Sequence, residues 1–426
     1  MNILMLGWEF PPSISGGLGV ASQGLAEALA AKGHHVTFLL PKKNQTQVSQ
    51  NVQLVDASAL TPDIDFWKEK KVYSETLAET SIGTLLMPYL APEVFEEVRE
   101  VTRKRVALKS TEESELLEQI ELTGTYEGNL HAEILKYALL AVQVAQQTKP
   151  DVVHAHDWIT FRAAVLIKKT FGTPVILHTH SIEQDRNGVY AQQHVMSEEK
   201  TGFEQADRII AVSQKLKYAI VGAYGIPSDR IEVIPNVLRI KGSKSPSTNP
   251  KHIAFVGRLT HQKSPSIFID LARDLSSKGH EFTYSIIGDG YLRGDLESRV
   301  IASNFSNRVR FTGFLERSEL LKLLNTVDLL VVPSASEPFG LVALEAILKG
   351  IPVAAARGIG LGEFIPSIPQ VERWDHYSYV QLIERLMTDD HYREYITSHC
   401  LKEAKKLTWE KATTLTEKCY QKAAAK

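Results

Sequence analysis

KGSKSPSTNPKHIAFVGR, residues 241–258, is where the chain divides. Residues 241–250 are a polar Gly/Ser/Pro stretch without periodicity, which predicts an interdomain linker. With KHIAFVGR at 251–258 a strand pattern then restarts. Upstream, NILMLGW, HVTFLLP, DVVHAHD, TPVILHTH, RIIAVS and RIEVIP alternate with amphipathic stretches; downstream, FTYSIIGDG, VRFTGF, DLLVVPS and IPVAAA do the same. Strands alternating with helices predict parallel sheets covered on both faces. The expected fold class is therefore α/β, two doubly wound Rossmann-like domains facing a central cleft, with ligands at the carboxyl ends of the strands. The expected boundaries are an N-terminal domain at 1–240, a C-terminal domain at 241–406 and a C-terminal helix at 407–426 that can return to the first domain. Residues 93–147 are expected to be a helix-rich insertion, whose mixed charges predict a solvated helical face.

A chain of 426 residues exceeds one ordinary core, in agreement with two domains. Its 48 basic and 50 acidic residues give a net charge of −2, which excludes the basic footprint of a nucleic-acid binder. Cys400 and Cys419 have no metal-ligand spacing and imply neither a disulfide framework nor a zinc site. MNILMLGW lacks the layout of a signal peptide, and no uncharged apolar run reaches about 18 residues. The expectation is a cytoplasmic protein with no transmembrane segment, open to peripheral membrane contact.

Four stretches carry chemistry. EFPPSISGGLG (9–19) places Gly16 and Gly17 between a strand and a helix, where backbone N–H groups can face a phosphate, although such turns also arise for steric reasons. In VVHAHDW (152–158), His154 and His156 project to the same side of a strand. His156, nearer the strand end, is placed against a substrate hydroxyl, and no second ligand cluster supports a metal. After the strand at 251–258, Arg258 and Lys263 converge with a helix N-terminus at Ser264-Pro265, which favours a diphosphate. In SASEPFGLVALEAILKGIPVAA (334–355), Glu337 sits in a loop ahead of an apolar helix that contains Glu345 and Lys349. A buried carboxylate needs a partner, and for Glu345 an internal arginine and the vicinal hydroxyls of a ribose both qualify.

These motifs resemble the retaining GT-B glycosyltransferases of family 4, with kinship to glycogen and starch synthases. GWEFPPSISGGLG, PDVVHAHDW, ADRIIAVS, FVGRL with Lys263, and the EPFG-headed pair of glutamates carry the resemblance over nearly the whole length. It implies that Arg258 and Lys263 hold a donor diphosphate, Glu345 the ribose and Glu337 the transferred sugar. Gly16 and Gly17, with Phe339, Gly340 and Leu341, join the donor side, and His156 contacts the sugar near the reacting centre. Of these, His156, Glu337, Arg258 and Lys263 form the expected catalytic group. The chain departs from the family at Ser264, where glycine is usual, at Asn236-Val237-Leu238-Arg239, at Ser15, and at Gly360-Leu361-Gly362-Glu363.

The expected reaction moves a hexosyl group from a UDP-, ADP- or GDP-sugar to a carbohydrate or other hydroxyl acceptor, with front-side displacement implied by the resemblance. No cofactor or metal is expected, since the cations Arg258 and Lys263 can neutralise the leaving group. His180, Glu183 and Arg186, in HTHSIEQDRNGVY, are candidate acceptor contacts. Rival readings are α-glucan elongation in the manner of glycogen or starch synthase, and a catalytically silent nucleotide-binding homologue.

Overall fold

The computed structural model describes residues 1–11, 17–43, 51–70, 120–126, 130–240, 242 and 250–425. The expected linker lies outside the described residues apart from Gly242 and Pro250, as does the expected insertion over 93–119.

Seven strands make the first sheet: β1 Asn2–Leu6, β2 His35–Leu40, β3 Gln53–Asp56, β4 Val152–His156, β5 Val175–Thr179, β6 Arg208–Ala211 and β7 Ile231–Val233, in the order β3-β2-β1-β4-β5-β6-β7. Six make the second: β8 His252–Val256, β9 Thr283–Ile287, β10 Val309–Gly313, β11 Leu329–Val332, β12 Val353–Ala356 and β13 Gln370–Val371, in the order β10-β9-β8-β11-β12-β13. Pairing is parallel, with Ile3 opposite Val36 and Val152 in the first sheet, and Ala254 opposite Ser285 and Leu330 in the second. Strands such as β11 and β12 are buried at every residue, which is why they read as continuous apolar runs rather than alternating ones. In each sheet the winding direction reverses once, between β1 and β4 and between β8 and β11. Such reversals splay the following loops apart and leave room for a ligand.

Grouped by contacts, the chain forms two compact units. One comprises Met1–Thr179, Ser197–Ile210 and Thr416–Lys426, the other His180–Met196 and Ala211–Leu415, so the division does not fall at a single point near 240. Among the described residues no helix is long and apolar enough to cross a membrane.

One expectation is corrected. Within the segment expected to be a solvated helical face, Leu130–Thr148 is a core helix, with Ile134, Leu135, Tyr137, Ala138 and Leu139 buried. The charges that suggested a wet surface lie earlier in the segment, whereas ILKYALLAVQVA is apolar on most sides. Tyr137 anchors this helix to the sheet: its hydroxyl donates to the Leu39 carbonyl at 2.9 Å, and burial pushes the phenol pKa up, so it remains a neutral donor. Tyr137→Phe removes this bond and leaves the Leu39 carbonyl only the Gly7 N–H at 3.2 Å, and is expected to lower stability by about 1 kcal/mol. Urea denaturation should show a lower midpoint at unchanged slope; an unchanged midpoint would mean that the hydroxyl adds nothing.

Candidate active site

In the second unit, β8 and β11 are neighbours at the winding reversal, so the loops that follow them lie side by side. This juxtaposition brings together residues 74 positions apart: Lys263 Nζ donates to Glu337 Oε2 at 2.7 Å. Ser334 Oγ donates to the same oxygen at 3.0 Å. The two loops are also stitched through their backbones, with Ala335 N–H donating to the Gln262 carbonyl at 2.7 Å. Lys263 is thus no solvated loop cation; the side chains of Lys263 and Glu337 are only 20% and 11% exposed. Arg258 is exposed, its guanidinium donates to Gln262 Oε1 at 3.3 Å, and it makes no ion pair among the described residues.

Pro265 is the first residue of the helix Pro265–Ser277, as its fixed φ favours, and Ser264 stands at the N-cap. Ser264 does not cap with its side chain. It adopts φ +53°, ψ 49°, and its hydroxyl donates back to the His261 carbonyl at 3.1 Å. That left-handed conformation accounts for the usual glycine in the resembling family, since only glycine enters it without strain.

The helix Leu341–Leu348 stops at Lys349 and Gly350, the latter at φ +79°. The carboxylate of Glu345, 5% exposed, is paired with Arg317. Burial pushes the Glu345 pKa up, and the guanidinium partly offsets the shift. Of the two partners considered for Glu345, the internal arginine is therefore present. Its other oxygen, Oε2, accepts no hydrogen bond among the described residues. Phe339 is 3% exposed and Gly340 is buried at φ +107°; a Cβ on Gly340 would meet Ile359 Cδ1 at 2.8 Å. Both shape the loop from within, and Leu341 opens the helix.

Sequence reasoning missed Lys215. Its Nζ donates to the Gly358 carbonyl at 2.8 Å. Burial lowers its pKa, opposed by Asp185, Glu337 and Glu363 and reinforced by Lys263, which places a further cation in the same electrostatic neighbourhood. Arg317 was likewise invisible, because no local pattern joins it to Glu345 across 28 residues.

The acceptor candidates are internally engaged. Glu183, 2% exposed, pairs with Arg186 at 3.2 Å and accepts from Asn187 Nδ2 at 2.7 Å and Gln192 N–H at 3.0 Å. Arg186 also donates to the Ser181 carbonyl and hydroxyl at 3.0 Å. Burial pushes the His180 imidazole down to about 3, so it is neutral at physiological pH. These residues brace the 180–192 segment.

In the first unit, Gly17 opens the helix Gly17–Ala31, and Gly16 lies outside the described residues. His156, 1% exposed, stacks on His154 with ring centroids 4.7 Å apart, and presents almost no surface for a substrate in this arrangement. A third histidine joins them: β4–β5 pairing sets His178 opposite His156, and nitrogens of His154, His156 and His178 lie within 4.8 Å of one another. TPVILHTH and DVVHAHD are consecutive strands that pair in parallel, which brings their histidines together. His154 Nδ1 also shares a 2.7 Å hydrogen bond with the Tyr420 hydroxyl.

Comparison with known proteins bears on the family and the fold. The family model "Starch synthase catalytic domain" matches residues 2–228, and "Glycosyl transferases group 1" matches 238–400. The chain is 26% identical over 459 residues to an uncharacterized glycosyltransferase of Methanocaldococcus jannaschii, covering 99% of this chain and 98% of that protein. It is 28% identical over 374 residues to a glycogen synthase of Mycobacterium tuberculosis, covering 86% and 80%. The catalytic domain of starch synthase IV from Arabidopsis thaliana, bound to ADP and acarbose, superimposes with a TM-score of 0.69 at 14% identity, covering 100% of this chain and 99% of that one. The chain therefore belongs to the starch synthase catalytic domain family, with a group 1 glycosyl transferase domain following it, and is a transferase of the GT-B type.

Proposed function

We propose that this glycosyltransferase moves a hexosyl group from a nucleotide diphosphate sugar to a hydroxyl acceptor with retention of configuration, as the family 4 enzymes it resembles do. The observation that carries the reading is the Lys263–Glu337 pair at the ends of β8 and β11, with Arg258 exposed beside it at the head of the helix Pro265–Ser277. A diphosphate entering there meets two cations and a helix N-terminus, charge preorganised where the leaving oxygen develops its own. Lys263 exchanges its carboxylate for phosphate, and Glu337 is released toward the sugar. Glu345, oriented through Arg317, offers its remaining oxygen to the ribose. The anomeric C–O bond breaks, the acceptor oxygen bonds to the same face, and the departing phosphate oxygen takes the acceptor proton. The reading is metal-independent and is built on residues of the second unit, because His156 is buried.

A glucosyl donor and an α-glucan acceptor form a second reading, favoured by the starch synthase match over 2–228 and by the ADP and acarbose bound to the Arabidopsis relative. The two cysteines, both buried and neither in a disulfide among the described residues, fit a reducing compartment, and we place the enzyme in the cytoplasm.

Melting measured with UDP, ADP and GDP tests donor binding: one nucleotide at 100 times its Kd should add about 2.7 kcal/mol of stability. No shift with any of the three, nor with their sugars, would remove the donor reading. Removing one partner of the Lys263–Glu337 pair has unequal consequences. Lys263→Ala should weaken nucleoside diphosphate binding by at least about tenfold, and should also lower the melting temperature because Glu337 is left without its cation. Glu337→Gln should leave that affinity equal or higher, since the carboxylate no longer competes for Lys263, while transfer falls by about 100-fold. Equal losses of affinity in both variants, measured by calorimetry, would contradict this division of labour. Transfer should also survive EDTA; activity lost to the chelator and restored by a divalent cation would assign the neutralising role to a metal.

A further inference from the structure

Glu337 is flanked by two contacts that the proposed reaction does not use. On one side, Ser336 Oγ donates to Asp185 Oδ1 at 2.6 Å. Asp185 belongs to the short helix Glu183–Asn187, where its other oxygen accepts from Ile182 N–H at 3.3 Å, so the carboxylate is itself fixed. On the other side, Ser213 Oγ donates to the Pro338 carbonyl at 2.6 Å. Ser213 is fully buried and is the N-cap of the helix Gln214–Tyr224, where the same hydroxyl accepts from Leu216 N–H at 3.1 Å.

The turn at 360–363 closes the arrangement from a third direction. Gly360 N–H donates to the Glu337 carbonyl at 2.9 Å, and Leu361 N–H donates to the Phe339 carbonyl at 2.7 Å. A Cβ on Gly360 would lie 1.9 Å from the Pro338 carbonyl oxygen and 3.0 Å from Ser213 Cβ, so only glycine lets these three backbones meet. Glu363 then accepts from Gln214 and Lys215 N–H at 2.6 and 2.7 Å, at the positive end of the helix that Ser213 caps. Three of these links reach the carbonyls of residues 337–339 and one holds the Ser336 side chain, and none touches the Glu337 carboxylate. Such an arrangement restricts where that carboxylate can sit without taking part in chemistry.

We propose that Asp185 and Ser213 are positioning residues for sugar transfer, which hold Glu337 at the transferred sugar by clamping the residues on either side of it. The inference rests on the donor-site reading above. It makes the 180–192 segment, expected from the sequence to contact acceptor, a determinant of donor-side geometry.

The test is a mutant cycle on the full chain, reading transfer kinetics together with nucleoside diphosphate affinity. Ser213→Ala and Asp185→Ala should each lower kcat by at least about tenfold while the calorimetric Kd changes by less than about twofold, because Arg258 and Lys263 are untouched. Asp185→Asn, which keeps an acceptor for the Ser336 hydroxyl, should restore most of kcat. In a Glu337→Gln background neither alanine variant should lower kcat further, since the group being positioned is already gone. Unchanged kcat in both folded alanine variants, or effects that add to Glu337→Gln, would overturn the proposal. If the alanine variants lost nucleotide affinity and kcat in parallel, the contacts would be merely structural and the proposal would likewise fall. A wild-type chain that binds none of the nucleotides overturns the donor reading itself, an outcome the cycle separates from the others.

Discussion

Two opposite charges, Lys263 and Glu337, meet at the ends of adjacent parallel strands with little solvent around them, and the surrounding loops are shaped by keeping them together. A paired charge in such a place is tolerable where an isolated one is not. The β8 loop turns sharply enough to need a left-handed residue at Ser264, and the β11 loop needs another at Gly340. Both stand immediately before a helix N-terminus, and of the two only Ser264 carries strain. Strain, helix direction and charge thus accumulate at one place, as expected where backbone conformation serves a ligand.

Much of this was legible in the residues. Alternating strand and helix signals predicted both doubly wound sheets, and Arg258, Lys263 and Glu337 stood out one by one; that β8 and β11 are neighbours, which sets their loops side by side, is a feature of the strand order. The limits of the helix Leu341–Leu348 followed from Gly340 and Gly350. Partnership was less legible. That Lys263 and Glu337 pair with each other depends on the lateral spacing of two loops, which a linear pattern does not encode. The Arg317 partner of Glu345 comes from a different βα unit, and His156 packs against rings supplied by other strands, Phe38 of β2 and His178 of β5. The Leu130–Thr148 helix was misjudged because charges earlier in the segment were allowed to speak for it.

Ser213 occupies an intermediate position. A serine between RIIAV and an amphipathic stretch is a legible N-cap signal, and it does cap. Its second bond, to the Pro338 carbonyl 125 residues away, was not legible, because a hydroxyl can donate and accept at once and sequence reveals only the local half.

The hydrogen bond between His154 and Tyr420 has a consequence for biosynthesis. Its two residues are 266 positions apart, yet both belong to the first compact unit. On the ribosome, β4 is therefore made long before the helix that completes its surroundings, and the whole second unit intervenes. Until Tyr420 arrives, the nascent first unit must hold a buried histidine stack that lacks one of its partners, and its final consolidation is postponed until nearly all of the second unit has been synthesised.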